Sequence, residues 1–176
     1  NDRMVEISGA IQEGAEAYLK RQYLIITAVA IPLIVLLHGY GASGAIQESY
    51  MRFRPIQDEY GYAFCAPDGT QNGAGQRFWN ATDACCNFQG STVDDVAYLV
   101  SLIDAIEAAV EIDPRSIHLV GHSNGGFMSY RMACDHADLI AGIASLAGAA
   151  FEHAATPMHN MAYTCAPTEP VHVLQI

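Results

Sequence analysis

Apolar positions recur along this chain in alternating helical and extended periods. Ile7, Ile11, Ala15, Tyr18 and Leu19 repeat at helical spacing within residues 4–21, and Lys20-Arg21 suits the carboxyl end of such a helix. The apolar run Leu24 to Leu37 has fourteen residues with Pro32 among them. That is short of the roughly 20 a bilayer-spanning helix needs, so it predicts two strands broken near the proline and no membrane span. Residues 46–60 read as a helix, and Tyr62 to Cys65 as a short strand closed by the turn Pro67-Asp68-Gly69. The next twenty residues read as a loop, of a length that is usually functional in a compact domain. Ser91 to Asp95 then opens a helix, with Thr92 and Asp95 spaced like a capping box and Val93, Val96, Val100, Ile103 and Ile106 as its buried stripe. Asp113-Pro114 ends that segment. Ile117 to Val120 is a buried strand, Phe127 to Ala133 a helix and Leu139 to Ala147 a small-residue strand. Residues 148–169 form a loop, and Val171 to Ile176 alternates like a strand. The order predicts an α/β fold, a mostly parallel sheet with helices on both faces, truncated after a late strand. Residues 1–30 form a helical extension and residues 31–176 a partial α/β domain.

Chemistry concentrates where the strand Ile117–Val120 meets the helix that follows. Gly121-His122-Ser123-Asn124-Gly125 is G-x-S-x-G between strand and helix, the context of a nucleophile elbow. The serine of such a turn sits on a strained backbone, so its neighbours must lack Cβ atoms for the strand and helix to close. Ser123 is the candidate nucleophile and the Asn124 N–H a candidate oxyanion donor. A second glycine-rich loop, His38-Gly39-Tyr40-Gly41-Ala42-Ser43-Gly44, follows the strand ending at Leu37. It offers the Tyr40 N–H as the second oxyanion donor, with His38 bracing the loop. The same loop contains G-x-G-x-x-G with Asp58 further on, so a dinucleotide-binding oxidoreductase is an alternative. Trp79 and His122 are the expected substrate-binding residues, although an aromatic at 79 also suits pinning the loop. Asp94 and Asp95 resemble a catalytic carboxylate pair, but their place in a first helical turn favours capping. Asn80-Ala81-Thr82 is an N-glycosylation sequon.

Composition narrows the function classes. Eight basic against nineteen acidic residues give net −11, which argues against nucleic acid and anionic membranes as partners. The seven histidines form no H-x-x-x-H or H-E-x-x-H pair and the five cysteines no C-x-x-C, so no metal is expected. Structural disulfides in an exported protein fit better, with Cys65 as the simplest leftover thiol; no signal peptide is visible at Asn1.

From Pro32 onward the chain resembles the secreted polyhydroxybutyrate depolymerase and feruloyl esterase-like group of α/β-hydrolases. The resemblance is carried by His38-Gly39, Pro67-Asp68-Gly69, Phe78-Trp79-Asn80, Cys85-Cys86 and Val93-Asp94-Asp95-Val96. Asp113-Pro114-Arg115, His122-Ser123-Asn124-Gly125-Gly126 and Cys165 to Pro170 continue it. It implies an extracellular serine hydrolase without metal or organic cofactor, acting on small esters or polyesters. It further implies Ser123 as nucleophile, Tyr40 and Asn124 as oxyanion donors, and disulfides among Cys85, Cys86, Cys134 and Cys165 in a pairing left open. In that fold the triad runs serine, acid, histidine, and the last two positions are expected after Ile176, absent from this chain. A second reading is therefore a catalytically incomplete fragment that self-associates through an exposed sheet edge. Residues 11–23 also resemble the first segment of membrane pyrophosphatases, without any pyrophosphate-binding motif.

Overall fold

A computed structural model describes Gly9 and residues 12–18, 30–152 and 163–176. The chain divides into two compact units, Asn1–Ala30 and Ile31–Ile176. In the first, Gly9 and residues 12–18 are helical and exposed, within the span expected to be a helix. The rest of that span, residues 24–29 and the histidines His153 and His159 lie outside the described residues.

The second unit is built on a five-stranded sheet in the order β2-β1-β5-β6-β7, parallel throughout. Its strands are β1 (Ile31–Leu37), β2 (Ala63–Cys65), β5 (Ile112–His122), β6 (Gly142–Leu146) and β7 (His172–Gln175). Pro32 does not break the strand; it lies inside β1, and the register with β5 shifts between Ile31 and Leu33. A proline has no N–H for the ladder, so the pairing skips it. The helices are α1 (Gly44–Met51), α2 (Gln57–Tyr60), α3 (Asp95–Ala109) and α4 (Asn124–Asp135). On one sheet face Leu33, Val35, Leu37, Ile117, Leu119 and Ile143 meet Leu99 and Ile103 of α3 and Met128 and Met132 of α4 in one core. On the other face Leu36, Val120, Ala144 and Leu174 stand in register, and exposure rises from 0% at Leu36 to 58% at Leu174.

Three expected elements differ in detail. The helix expected over 46–60 is two helices, separated by Arg52 in the left-handed conformation (φ 59°) and a 3-10 turn at Arg54–Ile56. Pro55 could not have donated to the Met51 carbonyl, and the Glu48 carboxylate instead accepts the Phe53 and Arg54 N–H groups at 3.2 and 2.8 Å. The helix after Ser91 starts at Asp95, with Asp94 rather than Thr92 as its cap, accepting Ala97 N–H at 2.9 Å. Asp95 is drawn inward to Asn80 N–H (2.7 Å) and the Thr70 hydroxyl (3.3 Å). The long loop is not structureless either: β3 (Thr70–Gln71) and β4 (Arg77–Phe78) form a hairpin in it. Asn72 Oδ1 closes the turn by accepting Ala74 and Gln76 N–H.

Candidate active site

The turn from β5 into α4 is set by space. Ser123 stands at φ 53°, ψ −116°, a left-handed conformation rare for a residue with a side chain. A Cβ at Gly121 would lie 2.1 Å from the Gly125 carbonyl oxygen, and one at Gly125 2.2 Å from the Leu37 oxygen. Both glycines of G-x-S-x-G are therefore required by backbone contact. Ser123 N–H donates to Leu146 O at 2.7 Å, which ties the turn to β6.

The loop that carries Tyr40, the other candidate oxyanion donor, comes up against this turn. As the first residue of α4, Asn124 has an N–H without an intrahelical acceptor. Among the described residues neither this amide nor that of Tyr40 donates to a protein acceptor. The loop bearing Tyr40 is held tightly. His38 is fully buried; its Nε2 accepts Gly69 N–H at 2.9 Å and its Nδ1 lies 2.8 Å from Gly39 O, which makes Nδ1 the protonated nitrogen. Burial holds the imidazole below the usual histidine range, so it braces the loop as a neutral group. Gly39 N–H donates to Gln47 Oε1 at 3.3 Å, and a Cβ at Gly39 would stand 3.6 Å from Ser123 Cβ. A cavity of about 380 Å³ opens here, with Tyr40, Ile46, Gln47, Tyr50, His122 and Ser123 on its wall.

Tyr40, His122 and Ser123 thus share one cavity, and Asn124, fully buried, follows Ser123 as the first residue of α4. Trp79 does not wall it: the indole is 0% exposed, and its Nε1 donates to His38 O at 3.0 Å. The backbone of Trp79 is gripped by the Asn124 side chain, N–H to Oδ1 at 2.6 Å and Nδ2 to O at 2.9 Å. Trp79 therefore pins the loop. Asn80 is a poor glycan acceptor, because its Nδ2 donates to Val93 O (2.8 Å) and Ser91 O (3.3 Å). His172 pairs with Gly142 at the start of β7, four residues before the Leu146 level of the elbow, or about 13 Å along the strands. His118 stands at that same end of the sheet. Among the described residues, His122 is the imidazole at the cavity.

The dinucleotide alternative fails on Asp68, whose Oδ1 accepts the Gly44 N–H at 2.8 Å at the mouth of α1. A carboxylate already occupies the helix end where a pyrophosphate would bind. Among the described residues no cluster of His, Cys, Asp or Glu could hold a metal, and no helix is long and apolar enough to cross a membrane. Cys85 bridges Cys86 and Cys134 bridges Cys165, with Cys65 free. Gln47, Ile46 and Tyr50 were invisible as site residues in the sequence: their spacing is that of any amphipathic helix. Asp68 and the Asn124 clamp are contacts across 24 and 45 residues, for which a sequence carries no local signal.

Residues 32–164 match the alpha/beta hydrolase fold family, and the chain belongs to it. NocK, a candidate esterase of Nocardia uniformis subsp. tsuyamanensis, is 30% identical over 145 residues, 82% of this chain and 38% of its own length. The poly(3-hydroxybutyrate) depolymerase of Ralstonia pickettii is 28% identical over 66% of this chain and 25% of its own. Feruloyl esterase B of Piromyces equi is 31% identical over 65% and 20% respectively. The chain therefore spans well under half of these relatives. Among solved structures, native pOPH aligns with a TM-score of 0.52 at 17% identity, over 71% of this chain and 44% of that one, a likeness of fold.

Proposed function

We propose that this chain carries the nucleophile and oxyanion elements of a serine carboxylic-ester hydrolase acting on small esters or polyesters. The observation that carries this reading is the Ser123 backbone, strained at the end of β5 and opening on a cavity. In the reaction Ser123 Oγ attacks the ester carbonyl, and the tetrahedral oxyanion accepts hydrogen bonds from Tyr40 and Asn124 N–H. Collapse expels the alcohol with the serine proton, and water then hydrolyses the acyl-serine. Proton removal from Oγ calls for a base, and in this family's chain order an acid and a histidine follow the nucleophile. His122 contributes to the cavity wall and to substrate binding. The depolymerase and feruloyl esterase among the relatives support the substrate class. Two disulfides support an exported protein, because such bridges persist in oxidising compartments.

Fluorophosphonate labelling tests the reading, with intact mass and peptide mapping against Ser123→Ala. From the oxyanion donors alone, label on Ser123 is expected to form faster than on the chain's other serines and to be lost in the Ser123→Ala chain. A folded chain that labels Ser123 no faster than its other serines would sink the assignment of the nucleophile. A second reading rests on β7, an edge of the sheet among the described residues, where Val173 and Leu174 are exposed. Two copies pairing along it would sediment as a dimer whose fraction rises with concentration.

A further inference from the structure

We infer that Ile46 and Tyr50 on α1 form a subsite that seats one uncharged, apolar arm of the ester cleaved at Ser123, an inference that rests on the proposed function. The helix is fixed where it starts. Ser43 Oγ accepts Ile46 N–H at 3.2 Å, Asp68 holds the Gly44 N–H, and a Cβ at Gly44 would stand 2.1 Å from Ala66 O. With Gly44 and Gln47 buried, α1 turns Ile46 and Tyr50, one helical turn apart, outward at 60% and 76% exposure. Neither side chain joins the core, yet both line the cavity that contains Ser123. Two large apolar side chains exposed together beside a nucleophile mark a surface that a ligand covers.

The wall also says what kind of ligand. Among the described residues, no carboxylate, lysine or arginine lines the cavity. A charged arm would lose its water there without meeting a carboxylate, lysine or arginine of opposite sign, whereas an apolar one gains by leaving water. One polar group sets a limit on orientation. Gln47, which lines the cavity, accepts Gly39 N–H on Oε1, and this leaves its NH₂ as a donor. Gln47 thereby positions the Gly39-Tyr40 loop and offers a hydrogen bond to a neutral oxygen of the substrate.

The test uses the Ser123→Ala chain, so that nothing turns over, and ligand-observed NMR with methyl hexanoate, its isomer pentyl acetate, and the anion of monomethyl adipate, a methyl ester whose acid-side arm ends in a carboxylate. The isomers place the apolar arm on the acid and alcohol sides respectively. Binding of at least one ester is expected, with the anion at least about tenfold weaker, and Ile46→Ala with Tyr50→Ala weakening the ester by about tenfold. Both residues are exposed, so the circular dichroism melt of the double variant stays close to that of its parent. Equal binding by the double variant, equal binding of the anion, or no ester binding overturns the inference. Failure here with fluorophosphonate labelling intact leaves the esterase reading standing. Selective ester binding without labelling overturns that reading instead.

Discussion

Ser123 holds a conformation that costs free energy, and a single substitution measures how much. Its φ and ψ of 53° and −116° are the mirror image of an ordinary extended residue, which glycine adopts freely. Ser123→Gly is therefore expected to unfold at higher urea than Ser123→Ala, by about 1 kcal/mol after the entropy that glycine gains in the unfolded chain. Equal midpoints would mean the turn stores no strain. Gly121→Ala acts in the opposite sense, since its Cβ would meet the Gly125 oxygen at 2.1 Å. A loss of about 3 kcal/mol is expected in the same urea measurement. His38 sets a pH dependence. Burial lowers its pKa below 6.5, so as pH falls through 6.5 the unfolded chain binds a proton that the native imidazole refuses. Stability attributable to His38 is flat above neutrality and declines on acidification, by at most about 1.4 kcal/mol per pH unit. His118 is lowered likewise, by burial and then by His172, and adds in the same direction. In His38→Gln the glutamine oxygen can still accept Gly69 N–H but nothing titrates. Thermal melts between pH 8 and pH 5 should therefore fall less steeply than wild type; an unchanged slope would remove His38 from the account.

At the scale of elements, the loop between β4 and α3 is organised from beneath by a residue of α4. The Asn124 carboxamide satisfies both the N–H and the carbonyl of Trp79, and Asp95 holds Asn80 N–H next to it. Asn124→Ala would leave two buried backbone groups unpaired, and a loss of about 2–4 kcal/mol is expected in chemical denaturation. The same change keeps the Asn124 N–H, so Ser123 labelling should slow rather than vanish if the chain refolds around the gap. This clamp explains what was and was not legible in the sequence. The strand–turn–helix around Ser123 was readable because its signals are local: a β-branched run, then glycines at fixed spacing, then a helix. The strands β1, β2, β6 and β7 were readable for the same reason, as apolar runs bounded by turns. For Trp79 the sequence leaves wall and pin equally open, because a tryptophan in a long loop suits both, and His38 and Asn124, which hold it from 41 and 45 residues away, decide between them. The cap of α3 was misplaced by two residues because Thr92 and Asp94 are equally good caps by type. The choice is made by Asp95 turning inward to the loop.

At the scale of the molecule, the two disulfides contribute very differently to stability, and the difference is set by how much chain each one closes. Cys134, in α4, and Cys165 are separated by 31 residues in sequence. In the chain-entropy account such a bridge removes roughly 3–4 kcal/mol of unfolded-state freedom. It also fastens the segment that brings Tyr163 onto Arg131, 4.6 Å from the guanidinium carbon to the ring centroid, while the Tyr163 hydroxyl meets Asp135 Oδ1 at 2.9 Å. Cys85 and Cys86 are adjacent and close no loop, so their bridge restricts the unfolded chain hardly at all. The double substitution Cys134→Ser with Cys165→Ser should therefore lower the guanidinium unfolding free energy by roughly 3 kcal/mol, and Cys85→Ser with Cys86→Ser by under about 1 kcal/mol. Equal losses would mean that the adjacent pair acts through native packing instead. Cys86 is buried two residues before Phe88, whose ring meets Tyr40 edge-on at 5.3 Å, so that packing would reach the oxyanion loop itself. In that case slower fluorophosphonate labelling of Ser123 in the Cys85, Cys86 variant would accompany the lost stability, whereas the chain-entropy account leaves the labelling rate unchanged.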